Sequence, residues 1–100
     1  LASSAASDVY KRQFMSKWIA IEKLLFEYLG KNNNYKHLTS AGLIKKITNS
    51  DLRIRLNRAR AQRNFLAHNV DKDISIKELL SKEELEKLYL DLQKYFQLHY

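Results

Sequence analysis

The first third of the chain carries apolar residues three or four positions apart, which is the spacing of an α-helix. This spacing predicts helix 1 from about Phe14 to Leu29, with Gly30 at the position of a helix stop. One apolar stripe is formed by Phe14, Trp18, Ile21, Leu25 and Tyr28, and a second edge by Met15, Ile19 and Phe26. A helix that is apolar on two sides is either deeply buried or packs against a second subunit.

Two further helices are predicted in the middle of the chain. Helix 2 is short, from about Ser40 to Ile47, and Thr39 or Ser40 could cap it. Helix 3 runs from about Asp51 to His68, with Ser50 as its N-cap. We also predict a short helical turn from Ile76 to Leu80.

A capping box marks the start of helix 4, which is predicted from about Lys82 to His99. Ser81 is its N-cap, and Glu84 stands three residues later. The buried stripe of this helix is formed by Leu85, Leu88, Leu92 and Phe96. With two Gly and no Pro, the chain is poorly suited to a turn-rich β fold. The predicted fold is therefore all-α, a small antiparallel bundle of four main helices.

The first residues of the chain include a run that resembles an adapter sequence. The codons GAT GTG TAT AAG AGA CAG would encode residues 8–13, and that run looks like a transposon-end adapter used in sequencing libraries. We therefore expect residues 1–13 to be a non-native leader and residues 14–100 to be the single domain, with its natural frame starting near Phe14 or at Met15. The alternative is an ordinary polar leader that forms the start of helix 1.

Positive charge is concentrated in the middle of the chain, whose total net charge is +7. Residues 43–68 have a net charge of +6, and residues 71–100 have a net charge of −2. The basic residues of the middle segment, opposed only by Asp51, are Lys45, Lys46, Arg53, Arg55, Arg58, Arg60 and Arg63. Such a segment either suits a polyanion such as RNA or is a solvated helix face.

Composition also limits the compartment. No window approaches the ~20 apolar residues that a membrane-spanning helix needs. There is no Cys, so disulfides and thiolate metal sites are excluded. We therefore expect a protein of a reducing compartment, the cytoplasm, with no membrane association.

Arg63 interrupts the apolar stripe of helix 3, which is formed by Leu52, Leu56, Ala59 and Leu66. A guanidinium in that position has to be paired or reach a polar cavity, because an isolated buried charge is very costly. Departures of this kind mark either a functional residue or a structural ion pair. Glu22 on helix 1 is one candidate partner.

The opposite side of helix 3 is also partly apolar. Ile54, Ala61 and Phe65 lie there, bordered by Asn57, Asn64 and His68. A single bundle buries one face of a helix, so this second face could form a dimer interface with another copy of the chain. His68 follows Arg63 by five positions, about 140° around a continuous helix. A symmetric dimer could bring both copies of the two side chains to one cleft.

The segment Arg63-Asn64-Phe65-Leu66-Ala67-His68 resembles the R-x4-6-H signature of HEPN domains, in which a polar residue such as Asn64 often follows the arginine. The resemblance covers these six residues in motif and residues 14–100 in helix number and order. The His-x-Tyr extension of one toxin branch is missing, since Asn69 and Val70 follow His68.

The resemblance implies an endoribonuclease that needs neither metal nor cofactor. In such an enzyme the ribose 2′-OH attacks the adjacent phosphate and leaves a 2′,3′-cyclic phosphate and a 5′-OH. His68 would be the general base or acid, and Arg63 would bind the phosphate and stabilise its developing charge. Asn64 would orient the phosphate or His68.

The resemblance also implies RNA as the substrate, a homodimer, and a role in defence or as a toxin with a nucleotidyltransferase-type antitoxin. Arg60 lies one turn before Asn64 and could guide the RNA backbone, with Arg53, Lys45 and Lys46 further out.

Two other interpretations stay open at this point. The chain could be a non-catalytic HEPN-like module that binds RNA or a partner protein. It could also be a helical interaction domain of a larger protein, with the motif a coincidence. Arg63 would then be a structural ion-pair residue, and His68 a cation that is favourable at a helix C-terminus.

Overall fold

The computed structural model describes residues 2–69 and 79–100, with side chains from Ser7 onward. These ranges contain four α-helices: α1 (Ala2–Tyr28), α2 (Ser40–Ile44), α3 (Ser50–His68) and α4 (Lys82–His99). A 3-10 turn at Asn33–Tyr35 lies between α1 and α2. The predicted all-α class and its four main helices are confirmed. Within the described ranges, no helix combines the length and the apolar character that crossing a bilayer requires.

The core is built from the stripes that the sequence predicted. Each helix contributes its apolar face, and the most deeply buried large side chains include Trp18, Phe14, Phe96, Ile21, Leu25, Leu56, Leu88 and Leu92. From α3, Leu52, Leu56, Ala59 and Leu66 are buried, as predicted. Removal of such side chains from water is the main favourable term that holds a bundle of this size together.

Contacts between the helices give their directions, which the sequence did not specify pair by pair. α3 runs antiparallel to α4. Near the end of α3, the Gln62 side-chain oxygen accepts from the Leu80 N–H, two residues before α4, at 2.9 Å, and nearer the start of α3, Arg55 pairs with Asp91 further along α4 at 2.9 Å. α1 and α4 run in the same direction. The hydroxyl of Tyr10 donates to the Leu80 carbonyl at 2.6 Å, and further along both helices the Tyr28 and Phe96 rings stack at 4.7 Å. α3 is therefore antiparallel to both of its long neighbours.

The start of helix 1 differs from the prediction. The sequence placed it near Phe14, whereas α1 begins at Ala2. No Gly or Pro interrupts residues 2–13, and Tyr10 continues the buried stripe one turn before Phe14, with 8% of its surface exposed. The predicted boundary was wrong for this reason. The origin of residues 1–13 is a separate matter and stays a prediction.

Two other helix ends also differ. α2 ends at Ile44 and not at Ile47. The Lys46 and Ile47 N–H groups bond to carbonyls three residues back, at 2.9 and 3.0 Å, which is the pattern of a 3-10 turn and not of an α-helix. The N-cap of α3 is Asn49 and not Ser50. Its Oδ1 atom accepts from the Leu52 N–H at 3.0 Å.

The predicted bounds of helix 4 and its capping box are confirmed. Ser81 Oγ accepts from the Glu84 N–H at 3.0 Å, and Glu84 Oε1 accepts from the Ser81 N–H at 3.1 Å. The predicted helical turn at 76–80 lies mostly outside the described residues. Of the two described positions in it, Leu80 is buried under Tyr10 and neither is helical.

The Tyr10 contact predicts a loss of stability at high pH. Burial of the side chain, followed by the nearby Glu84 carboxylate, raises the pKa of the Tyr10 hydroxyl from 10.0 to about 12. Since the neutral form is favoured in the folded chain, its contribution is fully present below pH 10 and is lost as the pH rises through 12. Across this interval we expect the free energy of unfolding to fall by about 2 kcal/mol more in the unmodified chain than in Tyr10→Phe. Urea unfolding at successive pH values measures both, and parallel curves would contradict the assignment.

Candidate functional site

A polar cavity of about 190 Å³ lies where α1, the start of α2 and the second half of α3 meet. Its lining consists of Trp18, Glu22, Thr39, Ser40, Ala41, Arg60, Arg63 and Asn64. The cavity is smaller than the ~300–1,000 Å³ of pockets for drug-sized ligands, so it suits part of a nucleotide better than a whole one. Three residues that the sequence assigned to the site, Arg60, Arg63 and Asn64, are together here.

Arg63 is half-buried and reaches this cavity from within the buried stripe of α3. Its Nη1 atom donates to the Asn64 side-chain oxygen at 3.3 Å. Among the described residues it forms no ion pair. Of the two outcomes predicted for a guanidinium at this position, the structure shows the polar cavity and not the ion pair.

The candidate partner of Arg63, Glu22, lies in the same cavity but is bonded elsewhere. Its Oε2 atom accepts a hydrogen bond from the Ser40 hydroxyl at the first residue of α2. Glu22 is half-buried and joins α1 to α2 through this bond. The sequence did not identify Ser40 as a site residue, because nothing in the spacing shows that α2 starts against the middle of α1.

Arg55 and Arg58 of α3 have acceptors outside the cavity. Arg55 pairs with Asp51 at 3.2 Å and with Asp91 of α4 at 2.9 Å, and Arg58 lies 3.9 Å from the carboxylate of Glu84. Hydrogen bonds from Lys87 and then from Arg55 hold the pKa of Asp91 below its usual value. On the α4 side of α3 these arginines pair with carboxylates, whereas on the cavity side Arg60 and Arg63 form no ion pair with any described residue.

The predicted outer RNA contacts lie at the other end of α3. Arg53 donates to the Ile47 carbonyl at 2.7 Å and so also holds the loop before α3. Ten positions separate it from Arg63, about 15 Å along the helix axis. Lys45 and Lys46 are exposed just after α2, and Lys46 lies 5.0 Å from the centre of the Tyr35 ring. These three basic residues are outside the cavity.

His68 is not brought to Arg63 within one chain. It is exposed in the last turn of α3 and does not line the cavity. α3 is continuous from Ser50 to His68, so the two side chains remain about 140° apart around its axis. Its position also fits the alternative role of a cation at the helix C-terminus.

The second apolar face of α3 is open to solvent in the single chain. Ile54 is 67% exposed and Phe65 48% exposed, and Ala61 between them is exposed as well. On α1, Ile19 and Phe26 are also exposed, at 59% and 44%. These side chains are available for the predicted dimer, which itself stays a prediction.

Across the described side chains, no three His, Asp or Glu groups lie close enough together to hold a metal ion. Comparison with protein-family models, with curated proteins and with solved structures gave no match. The resemblance to HEPN domains therefore rests on the six-residue motif and on the number and order of the helices.

The finding that Arg63 pairs with no carboxylate of the described residues can be tested by stability measurements. We expect Arg63→Met to leave the free energy of unfolding within about 0.5 kcal/mol of the unmodified value, since none of the described carboxylates loses a partner. Arg55→Met serves as the matched control on the same helix, and should cost about 1 kcal/mol because Asp51 loses its partner and Asp91, which keeps Lys87, loses one of its two. Urea unfolding measures both variants. A larger loss for Arg63→Met than for Arg55→Met would identify Arg63 as a structural residue.

Proposed function

We propose that this chain is a HEPN-type endoribonuclease that acts on RNA as a homodimer, in a defence or toxin–antitoxin setting. The observation that carries the proposal is the position of Arg63. Its guanidinium leaves the buried stripe of α3 and enters a polar cavity beside Arg60 and Asn64, with no carboxylate paired to it among the described residues. A nucleotidyltransferase-type antitoxin is the proposed partner.

The cavity chemistry supports a phosphodiester as the ligand. A guanidinium offers a planar fork of donors that matches two phosphate oxygens, and it keeps its charge at every relevant pH. Arg60 and Arg63 stand on neighbouring turns of α3 and line the same cavity. Two such groups can hold a phosphate and stabilise the charge that develops on its oxygens during attack.

The proposed reaction needs proton transfer as well as charge. The 2′-oxygen bonds to phosphorus as a base takes its proton, and the bond from phosphorus to the 5′-oxygen breaks as an acid protonates that oxygen. His68 supplies one of these roles, because an imidazole can both accept and donate a proton. Since His68 and Arg63 of one chain diverge, the cleft has to be completed by a second copy of α3.

The divergence of Arg63 and His68 in one chain favours a second candidate function. In this case the chain is a non-catalytic HEPN-like module for RNA binding, protein interaction or dimerisation. Arg60 and Arg63 would then hold RNA by its backbone, and His68 would contribute only to the helix end. Such a module binds RNA with a strong salt dependence and leaves it intact.

Cleavage of single-stranded RNA distinguishes the two candidates. Arg63→Ala and His68→Ala should each lower the rate at least about 100-fold, and a chelator should leave it unchanged. The matched controls are Arg58→Ala, which lies on the α4 side of α3, and His37→Ala, which is exposed in a loop. Both controls should keep the full rate. Mass spectrometry should find a 2′,3′-cyclic phosphate on the upstream product.

Full activity in either Arg63→Ala or His68→Ala would remove this mechanism, and inhibition by the chelator would remove its metal independence. Intact RNA that is nevertheless bound, with an affinity that falls steeply as salt rises, would establish the non-catalytic module instead.

The dimer has its own test at Phe65. A charge placed on the exposed face of α3 should dissociate the dimer, because burying an unpaired carboxylate in an apolar interface is costly. We expect Phe65→Glu to sediment as a monomer and to lose cleavage. Leu98→Glu places the same charge on an exposed leucine of α4 and should change neither property. A monomeric unmodified chain that still cleaves RNA would rule out the shared cleft.

A further inference from the structure

The cavity holds charges of both signs that are not in contact with each other. Glu22 lines it from α1, and Arg60 and Arg63 line it from α3. Among the described residues neither arginine forms an ion pair with Glu22. About 190 Å³ of open space lies between these groups.

This separation is unusual within the fold itself. Where α3 faces α4, its arginines form ion pairs with the carboxylates of α4, as Arg55 does with Asp91 at 2.9 Å. Where α3 faces α1, the Glu22 carboxylate does not pair with Arg60 or Arg63. The Ser40 hydroxyl donates to Glu22 Oε2, and this bond ties the side chain to the start of α2. Ser40 thus occupies part of the acceptor capacity that an arginine would otherwise use.

A carboxylate accepts up to about four hydrogen bonds, and Ser40 supplies one. Its remaining lone pairs can therefore accept from a ligand, and the two guanidinium groups can donate to one. A ligand that meets both needs carries an anionic group beside a hydroxyl. A ribose phosphate has this composition, and its 2′-hydroxyl is the group that distinguishes RNA from DNA.

We propose that Glu22, held in place by Ser40, accepts a hydrogen bond from a ribose 2′-hydroxyl while Arg60 and Arg63 hold the neighbouring phosphate, so that the cavity selects RNA over DNA. This inference rests on the proposed function of the cavity as a nucleotide site. It adds a recognition residue on α1 that lies outside the six-residue motif, and it involves no covalent step.

The test is equilibrium binding of two probes of the same sequence, a short single-stranded RNA and the corresponding single-stranded DNA. All variants carry His68→Ala, so that the RNA stays intact, which a gel verifies. We expect the chain with Glu22 to bind RNA about tenfold more tightly than DNA, the scale of one hydrogen bond to a charged group. Glu22→Ala should bring this ratio close to one.

Two further variants separate recognition from simple charge. Glu22→Gln keeps an acceptor and removes the negative charge, so both probes should bind more tightly while RNA stays preferred. Glu27→Ala is the control on the next turn of α1, where Glu27 is exposed and pairs loosely with Lys23 at 4.0 Å. It should leave the ratio unchanged. Thermal melts confirm that each variant is folded, and Glu22→Gln, which retains the Ser40 bond, keeps the test valid if Glu22→Ala is unfolded.

The outcomes are distinct for the two proposals. An RNA-to-DNA ratio that is the same in the Glu22 chain and in Glu22→Ala overturns the role of Glu22 alone, and so does a Glu22→Gln variant that loses the preference. If Arg63→Ala binds RNA as tightly as the chain with Arg63 does, the nucleotide site itself is wrong and both proposals fail. A ratio that collapses only in Glu22→Ala, with binding still dependent on Arg63, supports both.

Discussion

Five arginines on one helix of 19 residues can be packed against three neighbouring helices only if each guanidinium finds an acceptor or open space. Left buried and unpaired, such a charge costs several kcal/mol. The acceptor that each arginine finds depends on the element that it faces. α4 supplies Asp91 and Glu84 to Arg55 and Arg58, and the loop before α3 supplies a carbonyl to Arg53. Arg60 and Arg63 receive a cavity.

This division follows from the charge of the helices. α4 carries acids on the side that faces α3, so contact between these two helices is electrostatically favourable. α1 offers α3 a single carboxylate, Glu22, among large apolar side chains such as Trp18. Apolar side chains fill the contact between α1 and α3, and the guanidinium groups of Arg60 and Arg63 reach beyond them into the polar cavity. Among the described residues, the arginines of this basic helix are paired with acids on the side that faces α4 and not on the side that faces the cavity.

The sequence predicted the helices well where a local rule determines them. The bounds of α4 follow from a capping box whose two bonds involve only residues three apart, and the buried stripes follow from helical spacing. The start of α1 was predicted too late in the chain. No Gly or Pro separates residues 2–13 from Phe14, and Tyr10 is buried against Leu80, which is distant in sequence. The cap of α3 was misplaced by one residue, since Asn49 and Ser50 are both good caps and only the backbone path selects between them.

The candidate site was predictable only in the part that a local sequence pattern reveals. Arg63 departs from an otherwise apolar stripe, and that departure is visible in the sequence alone. The cavity around it is not visible, because it depends on where the short α2 meets α1. The bond from Ser40 to Glu22 fixes this contact, and it joins residues 18 positions apart across a turn-containing connection. No periodicity within either helix encodes such a contact.

The orientation of α3 also explains how a cavity on one side of the helix and a histidine on another can belong to one cleft. Asn64 lies about 100° from Arg63 and about 40° from His68 around the axis. It lines the cavity and also borders the exposed face formed by Ile54, Ala61 and Phe65. Asn64 therefore lies between the cavity and that face, which is on the opposite side of the helix from Arg63. A second chain that covered the face would bury its apolar area and bring its own α3 to the edge of the cavity at Asn64. The divergence within one chain is compatible with a two-fold axis, because residues that flank such an axis in two copies can form one shared site.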